Sequence, residues 1–234
     1  MTALGFLHPG DAPADDYPRI EQLLGSDIRL DVVRADLTEP AEAGGPGGAG
    51  GAAGADSPAR LAAIAERLRL TGAEAVVRTG PDPVDLRTAR AQSRALALAA
   101  GMPASCAPLA FVNAARELGA RRVAVASTGP PPEVDRSAAF LREAGLEVTQ
   151  AITGPPGDLL ALARSADTPE TQAVLFPDPA LQTAAHLQQL EADLDKPVLT
   201  ASQVTVWEAL RLTDRRVNAP GLGALFDREP IVQV

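Results

Sequence analysis

Ala75-Val76-Val77-Arg78-Thr79-Gly80-Pro81-Asp82-Pro83 and, much further along the chain, Ala173-Val174-Leu175-Phe176-Pro177-Asp178-Pro179 read in the same way. Each is a short apolar run, then a Pro-Asp-Pro turn, then a helical stretch: Leu86, Thr88 and Ala89 follow the first copy, Leu181, Thr183 and Ala184 the second. Apolar runs without polar alternation suit strands buried on both faces, the signature of a parallel sheet covered by helices. The elements ahead of each copy echo as well. Residues 4–7 lead through His8-Pro9-Gly10 into a helix and strand, as residues 123–126 lead through Gly129-Pro130 into another pair. A repeat on this scale predicts two lobes of one topology.

Working outward from the two copies, the same rhythm of strand and helix covers the chain, which predicts an α/β fold. Strands are expected at residues 3–7, 28–33, 75–78, 122–126, 147–152, 173–176 and 197–200. Helices are expected at 17–24, 58–70, 83–100, 107–118, 133–144, 158–165, 179–194 and 202–212. Ser57-Pro58 is a helix opening, with serine as cap and proline where its missing N–H costs nothing. Gly101, Gly119 and Gly145 each follow a helical run, where a left-handed residue ends the turn. The expected architecture is two pseudo-symmetric Rossmann-like lobes, each a parallel sheet flanked by helices, with a cleft between them. The N-terminal lobe is placed at residues 1–103 and 198–234, the C-terminal lobe at 104–197, with the last helix returning to the first lobe. Residues 42–56, glycine-rich and with almost no side chain to bury, are expected to form a mobile loop.

Composition narrows the function. The 234 residues carry Lys+Arg 21 against Asp+Glu 30, a formal net charge of -9, and no basic cluster is visible along the chain. Phosphate backbones are repelled by such a surface, and 3% aromatic residues build few stacking platforms, so nucleic acid is not an expected partner. No apolar run is long enough to span a bilayer, so no membrane partner is expected either. The single cysteine, Cys106, forms no intramolecular disulfide, which favours the cytoplasm. With His8 and His186 it cannot furnish a thiolate-rich zinc site, so neither metal nor cofactor is expected.

In parallel α/β sheets ligands bind outside the carboxyl ends of the strands, and facing lobes create a cleft there. Both Pro-Asp-Pro turns occupy that edge. Asp82 and Asp178 are therefore the candidate catalytic pair, approaching a small carboxylate from opposite sides as acid and base. An Asp before a Pro that opens a helix is also simply a good cap, and that reading stands beside the chemical one. His8, Pro9, Pro81, Gly129 and Pro179 flank the same edge and are candidate substrate-binding residues. Cys106 opens a helix whose N-terminus favours a thiolate, although free cysteines are commonly buried and inert. His186 has no metal partner at helical spacing.

The opening Leu4-Gly5-Phe6-Leu7-His8-Pro9-Gly10 carries a resemblance to a known family. So do residues 103–126 with Asn113 and Leu118-Gly119-Ala120-Arg121-Arg122-Val123, the Ala138-Ala139-Phe140-Leu141 helix, and Lys196-Pro197-Val198-Leu199-Thr200 followed by Trp207-Glu208-Ala209-Leu210-Arg211-Leu212. With these the chain resembles the aspartate/glutamate racemase superfamily, in its maleate isomerase and arylmalonate decarboxylase branch. The resemblance implies two pseudo-symmetric lobes with the active site between them, and proton transfer at, or thiolate attack on, a carbon beside a carboxylate. It also implies cysteines at the ends of equivalent strands, and those are absent. Gly80-Pro81-Asp82 stands where the family usually has Cys-Thr-Ser, Asp178 stands for the second cysteine, and Gly129 replaces a frequent tyrosine. A carboxylate is a poor nucleophile toward carbon but still moves protons. The expectation is a cofactor-independent isomerase, racemase or decarboxylase acting through Asp178 on a small carboxylate. The alternative is a catalytically silent accessory or binding protein, and an oligomer or partner protein is left open.

Overall fold

The computed structural model describes residues 1–9, 16–35, 63, 66–80 and 85–227. The glycine-rich stretch 42–56, most of the helix expected at 58–70, Pro81 and Asp82 lie outside them; residues 63 and 66–70 are helical.

Among the described residues, eight strands form two four-stranded sheets, parallel throughout. The first is built from β1 (Thr2–Pro9), β2 (Ile28–Ala35), β3 (Ala73–Arg78) and β4 (Ala104–Cys106), in the order β2-β1-β3-β4. The second is built from β5 (Arg122–Ser127), β6 (Glu147–Thr153), β7 (Ala173–Phe176) and β8 (Val198–Thr200), in the order β6-β5-β7-β8. The two orders are the same, so the repeat read in the sequence is a repeat of topology. Leu4, Phe6, Val76, Val77, Val123, Val125, Val174 and Leu175 have almost no exposed surface, as expected of strands covered on both faces.

The helices are α1 (Asp16–Leu24), α2 (Leu86–Ala100), α3 (Ala107–Glu117), α4 (Pro131–Glu143), α5 (Leu159–Ala166), α6 (Leu187–Leu194) and α7 (Ala201–Leu212). Two of them correct the sequence reading. Neither α2 nor α6 begins at its expected residue: α2 starts at Leu86, because Asp85 accepts a hydrogen bond from Thr88 N at 2.6 Å and so caps the helix there. After β7 the chain turns through residues 179–186, and α6 starts only at Leu187. The reason lies across the molecule. Asp16, buried at the start of α1, accepts hydrogen bonds from Thr183 N at 2.8 Å, Thr183 Oγ1 at 3.1 Å and Ala184 N at 3.2 Å. Amides held by that carboxylate are withdrawn from a helix, so Asp178 is not a helix cap.

The lobe boundaries also shift. Residues 104–106 pair with β3 in the first sheet, through Val77↔Ser105 and Arg78↔Cys106. Residues 198–200 pair with β7 in the second, through Leu175↔Leu199. Assigning 104–106 to the C-terminal lobe and 198–200 to the N-terminal one is therefore wrong by sheet membership; a three-residue strand such as Ala104-Ser105-Cys106 has no period to read. The helix after each fourth strand then crosses over. α7 packs on β1, β3 and β4 of the first sheet, α3 touches β8 and α4 of the second half, and α3 and α7 pack on each other. α7 is buried along most of its length, and one apolar cluster runs through it from Phe6 and Val77 to Val125 and Leu199. Each fully buried Val or Leu there contributes about 1.5–3 kcal/mol, so the halves share one core.

Two carboxylates fasten this exchange. Asp16 also accepts from Ser202 Oγ at 2.8 Å at the start of α7. Glu208, 1% exposed on α7, accepts from Ser105 Oγ at 2.8 Å, Asn113 Nδ2 at 3.1 Å and Arg211 Nε at 2.7 Å. The hydrogen bond to Glu208 holds the Arg211 guanidinium protonated more firmly than usual, against the opposing pull of burial.

Candidate active site at the strand ends

The carboxyl ends of the central strands carry equivalent side-chain ties. In the first sheet His8 and Thr79 follow paired positions of β1 and β3, and His8 Nδ1 lies 2.8 Å from Thr79 Oγ1. The pair is buried, with the imidazole 1% exposed and edge-on to the Tyr17 ring at a centroid distance of 6.0 Å. Burial pushes the Tyr17 phenol well above its ordinary range, helped by the nearby Asp16 charge and opposed by its hydrogen bonds to Thr205 and Thr79, so it stays a neutral donor. In the second sheet Ser127 Oγ donates to Asp178 Oδ1 at 2.7 Å, while Thr128 N and Oγ1 donate to Oδ2 at 2.6 and 3.1 Å. Asp178 thus holds the β5–α4 loop against the end of β7.

Between these ends lies a cavity of about 260 Å³ whose lining comes from both halves. Thr79 and Gly80 contribute from the first sheet, Pro177 and Pro179 from the end of β7, and Ala107, Pro108 and Phe111 from the start of α3. One face of α4 completes it, at the helical spacing Glu133, Arg136, Ser137, Phe140 and Leu141. Depth separates its chemistry. Phe111, Phe140, Leu141, Val125 and Leu175 are buried, whereas the Glu133 and Arg136 side chains are 57% and 63% exposed and face each other at 3.8 Å. Cys106 makes no side-chain cap at the start of α3, and Pro108 in the first turn of that helix has no N–H to offer an anion. The cavity therefore offers an apolar interior with polar donors at one end.

Of the sequence-predicted site residues, Pro179 lines this cavity. Asp178 sits between two lining prolines and is engaged by Ser127 and Thr128. Gly129 donates to Ser127 Oγ at 3.0 Å, and a Cβ there would stand 3.0 Å from Glu133 Oε2 and 3.6 Å from Asp178 Oδ1. His8 lies behind Thr79, one hydrogen bond from the lining. Pro9 ends β1. Pro81 and Asp82 fall outside the described residues, so the expected pairing of Asp82 with Asp178 has no geometry here. Cys106 is 2% exposed within the shared core, next to the lining residue Ala107, and is not itself among the lining residues. His186 precedes α6 and makes no side-chain cap. Sequence reasoning passed over Thr79, Phe111, Phe140, Arg136 and Ser137. The signal for the α4 set was present, in the i, i+3, i+4, i+7, i+8 spacing from Glu133 to Leu141. Among the described residues no group of three or more His, Cys, Asp and Glu could hold a metal ion, and no helix is long and apolar enough to cross a membrane.

Two equal parallel α/β halves that exchange their last helices, with a cavity at the facing strand ends, define the class of two-lobed proteins to which arylmalonate decarboxylases and maleate isomerases belong. A crystal structure of arylmalonate decarboxylase superposes with a TM-score of 0.76 at 28% identity, covering 97% of this chain and 100% of the other. A maleate cis-trans isomerase from Nocardia farcinica superposes with a TM-score of 0.78 at 17% identity, covering 98% and 99%, and supports the fold alone. The arylmalonate decarboxylase family model matches residues 55–154. Arylmalonate decarboxylase from Bordetella bronchiseptica is 33% identical over 181 residues, 70% of this chain and 75% of the relative. The chain belongs to the arylmalonate decarboxylase family.

Proposed function

We propose that this chain binds a small carboxylate bearing an apolar substituent in the cavity at the strand ends, and exchanges a carboxylate for a proton on the carbon beside it. The observation that carries this reading is the division of the cavity into a buried Phe111–Phe140–Leu141 interior and an end where Thr79, Gly80 and the start of α3 converge. The substituent packs in the interior, and one carboxylate of a substituted malonate meets the Thr79 hydroxyl and the Arg136 guanidinium in the lining. The other carboxylate leaves as carbon dioxide; its bonding pair passes into the remaining carboxylate as an enediolate, and protonation of the α-carbon closes the balance. An apolar surrounding favours loss of a charged carboxylate as a neutral gas. Asp178, between the lining residues Pro177 and Pro179, supplies the proton from the second-sheet side, in keeping with the name of the family.

The second reading, a binding protein without turnover, draws on the same carboxylate, since Asp178 already holds Ser127 and Thr128. Phenylmalonate, methylmalonate, aspartate, glutamate and a hydantoin, each incubated in deuterated water and followed by NMR, separate the two. The expected result is release of carbon dioxide from phenylmalonate with deuterium entering the α-carbon. Asp178→Asn should slow this by about 10²–10⁴-fold while phenylacetate still binds. Saturable binding with no carbon dioxide and no α-exchange from any compound leaves the silent binding protein; loss of binding as well removes the cavity assignment.

A further inference from the structure

No run of basic residues occurs in the sequence, yet the fold gathers five arginines from three helices on one face of a chain of net charge -9. Arg90, Arg116 and Arg211, from α2, α3 and α7, line a pocket of about 260 Å³. Arg87 and Arg94 line an adjoining groove that shares Leu86 and Arg90 with it. Arg87, Arg90 and Arg94 fall on one side of α2 at spacings where like charges repel. Of the acids nearby, Asp214 attracts Arg211 through space, and three others are already engaged. Glu208, under the pocket, is saturated by Ser105, Asn113 and Arg211; Glu143 accepts from Leu86 N at 3.1 Å, and Asp85 caps α2. Arg116 spends one N–H on a neutral acceptor, Ala144 O, at 2.7 Å. Among the described residues Arg90 has no acidic side chain as an ion-pair partner. The pocket thus presents guanidinium donors whose charge the described acids only partly offset, converging from separate elements on a concave surface of small-molecule size, the geometry that recognises carboxylate and phosphate groups bidentately.

We infer that this α2–α3–α7 pocket is a binding site for a small multivalent anion, a polycarboxylate or a phosphate compound, separate from the cavity at the strand ends. α3 lies between the two sites: Ala107, Pro108 and Phe111 face the cavity, while Leu109, Val112, Asn113 and Arg116 face the arginine pocket. A monoanion engages one guanidinium and competes with chloride; two or three charges spaced across the pocket engage Arg90, Arg116 and the free edge of Arg211 together.

Isothermal titration of the full chain with citrate and with pyrophosphate, at ionic strength matched by sodium chloride, tests the site. One saturable equivalent per chain is expected, with acetate giving none. Arg90→Gln combined with Arg116→Gln should weaken binding by about tenfold or more, while Arg164→Gln, at the surface ion pair with Asp193, leaves it unchanged. Arg90→Lys keeps charge and fold, and should weaken binding by about two- to fivefold through loss of the planar fork. Binding of citrate alone assigns the site to polycarboxylates, and of pyrophosphate alone to phosphates. Heat that vanishes at matched ionic strength, affinity unchanged in the double and Lys variants, or dimerisation that fills the groove in place of the anion would overturn the inference.

Discussion

The ends of the first and second sheets occupy equivalent places in the repeat but solve the same problem with different chemistry. In the first, the β1–β3 tie is a buried imidazole–hydroxyl pair, His8 with Thr79, sealed by Tyr17. In the second, the β5–β7 tie is a half-buried carboxylate, Asp178, held by Ser127 and Thr128. Topology was kept in both copies, while the edge diverged into an imidazole–hydroxyl tie and a carboxylate one. The halves differ too in how they reach each other. The first sends Asp16 across to Thr183, Ala184 and Ser202, whereas α4, in the corresponding place of the second, starts at Pro131 after Pro130, which makes no side-chain cap.

The largest stability effect should come from breaking that one-sided reach. Asp16→Ala leaves buried amide and hydroxyl donors unpaired, and a loss of about 3 kcal/mol in urea unfolding is expected. Next come the two ties. Thr79→Val removes a buried partner of His8 and should cost about 1–3 kcal/mol, while Asp178→Ala, where water reaches the freed donors, should cost about 1 kcal/mol or less. The reverse order would contradict the distinction between a sealed and an open edge. Glycines sharpen the same contrast. At Gly223, φ is +78° and a Cβ would stand 2.8 Å from Oε2 of Glu191, a carboxylate that accepts from Val198 N through Oε1 and from Ala224 N through Oε2. Gly223→Ala should therefore cost about 2 kcal/mol, and Gly129→Ala, whose nearest contact is the flexible end of Glu133, less than about 1 kcal/mol.

The smallest effects lie in pH dependence, and they carry opposite signs in the two halves. Hydrogen bonds from Thr88 hold the Asp85 carboxyl below its ordinary value of 3.8. Its stabilising contribution is present above that value and is lost as pH falls through the lower, folded pKa. Burial raises Glu191 above 4.5, with the Val198 and Ala224 amides opposing. Its contribution is complete below 4.5 and is lost as pH rises through the higher, folded pKa. NMR titration of the two carboxyl carbons checks both directions.

Much of the fold was legible because a parallel strand buried on both faces writes itself as an unbroken apolar run; residues 173–176 coincide with β7, and β5 is one residue longer than its run. The repeat followed from the same property. What escaped was set by contacts remote in sequence. Helix α6 starts late because Asp16 holds Thr183 and Ala184, and the short β4 and β8 each stay in the sheet of their own half because pairing, not composition, places three-residue strands. At the site, the strand ends were legible but the cavity walls were not, since Thr79 and Phe111 read as ordinary strand-end and core residues until the halves face each other. The arginine pocket left no trace in the sequence for the same reason: its members come from three helices.

The most direct test of the account is a crystal structure of the chain with phenylacetate or phenylmalonate bound. The ring is expected between Phe111 and Phe140, with a carboxylate against Thr79 and Arg136 and with Asp178 within proton-transfer reach of the α-carbon. A ligand seated elsewhere, or one in the cavity with Asp178 still turned wholly to Ser127 and Thr128 and out of reach of that carbon, would contradict it.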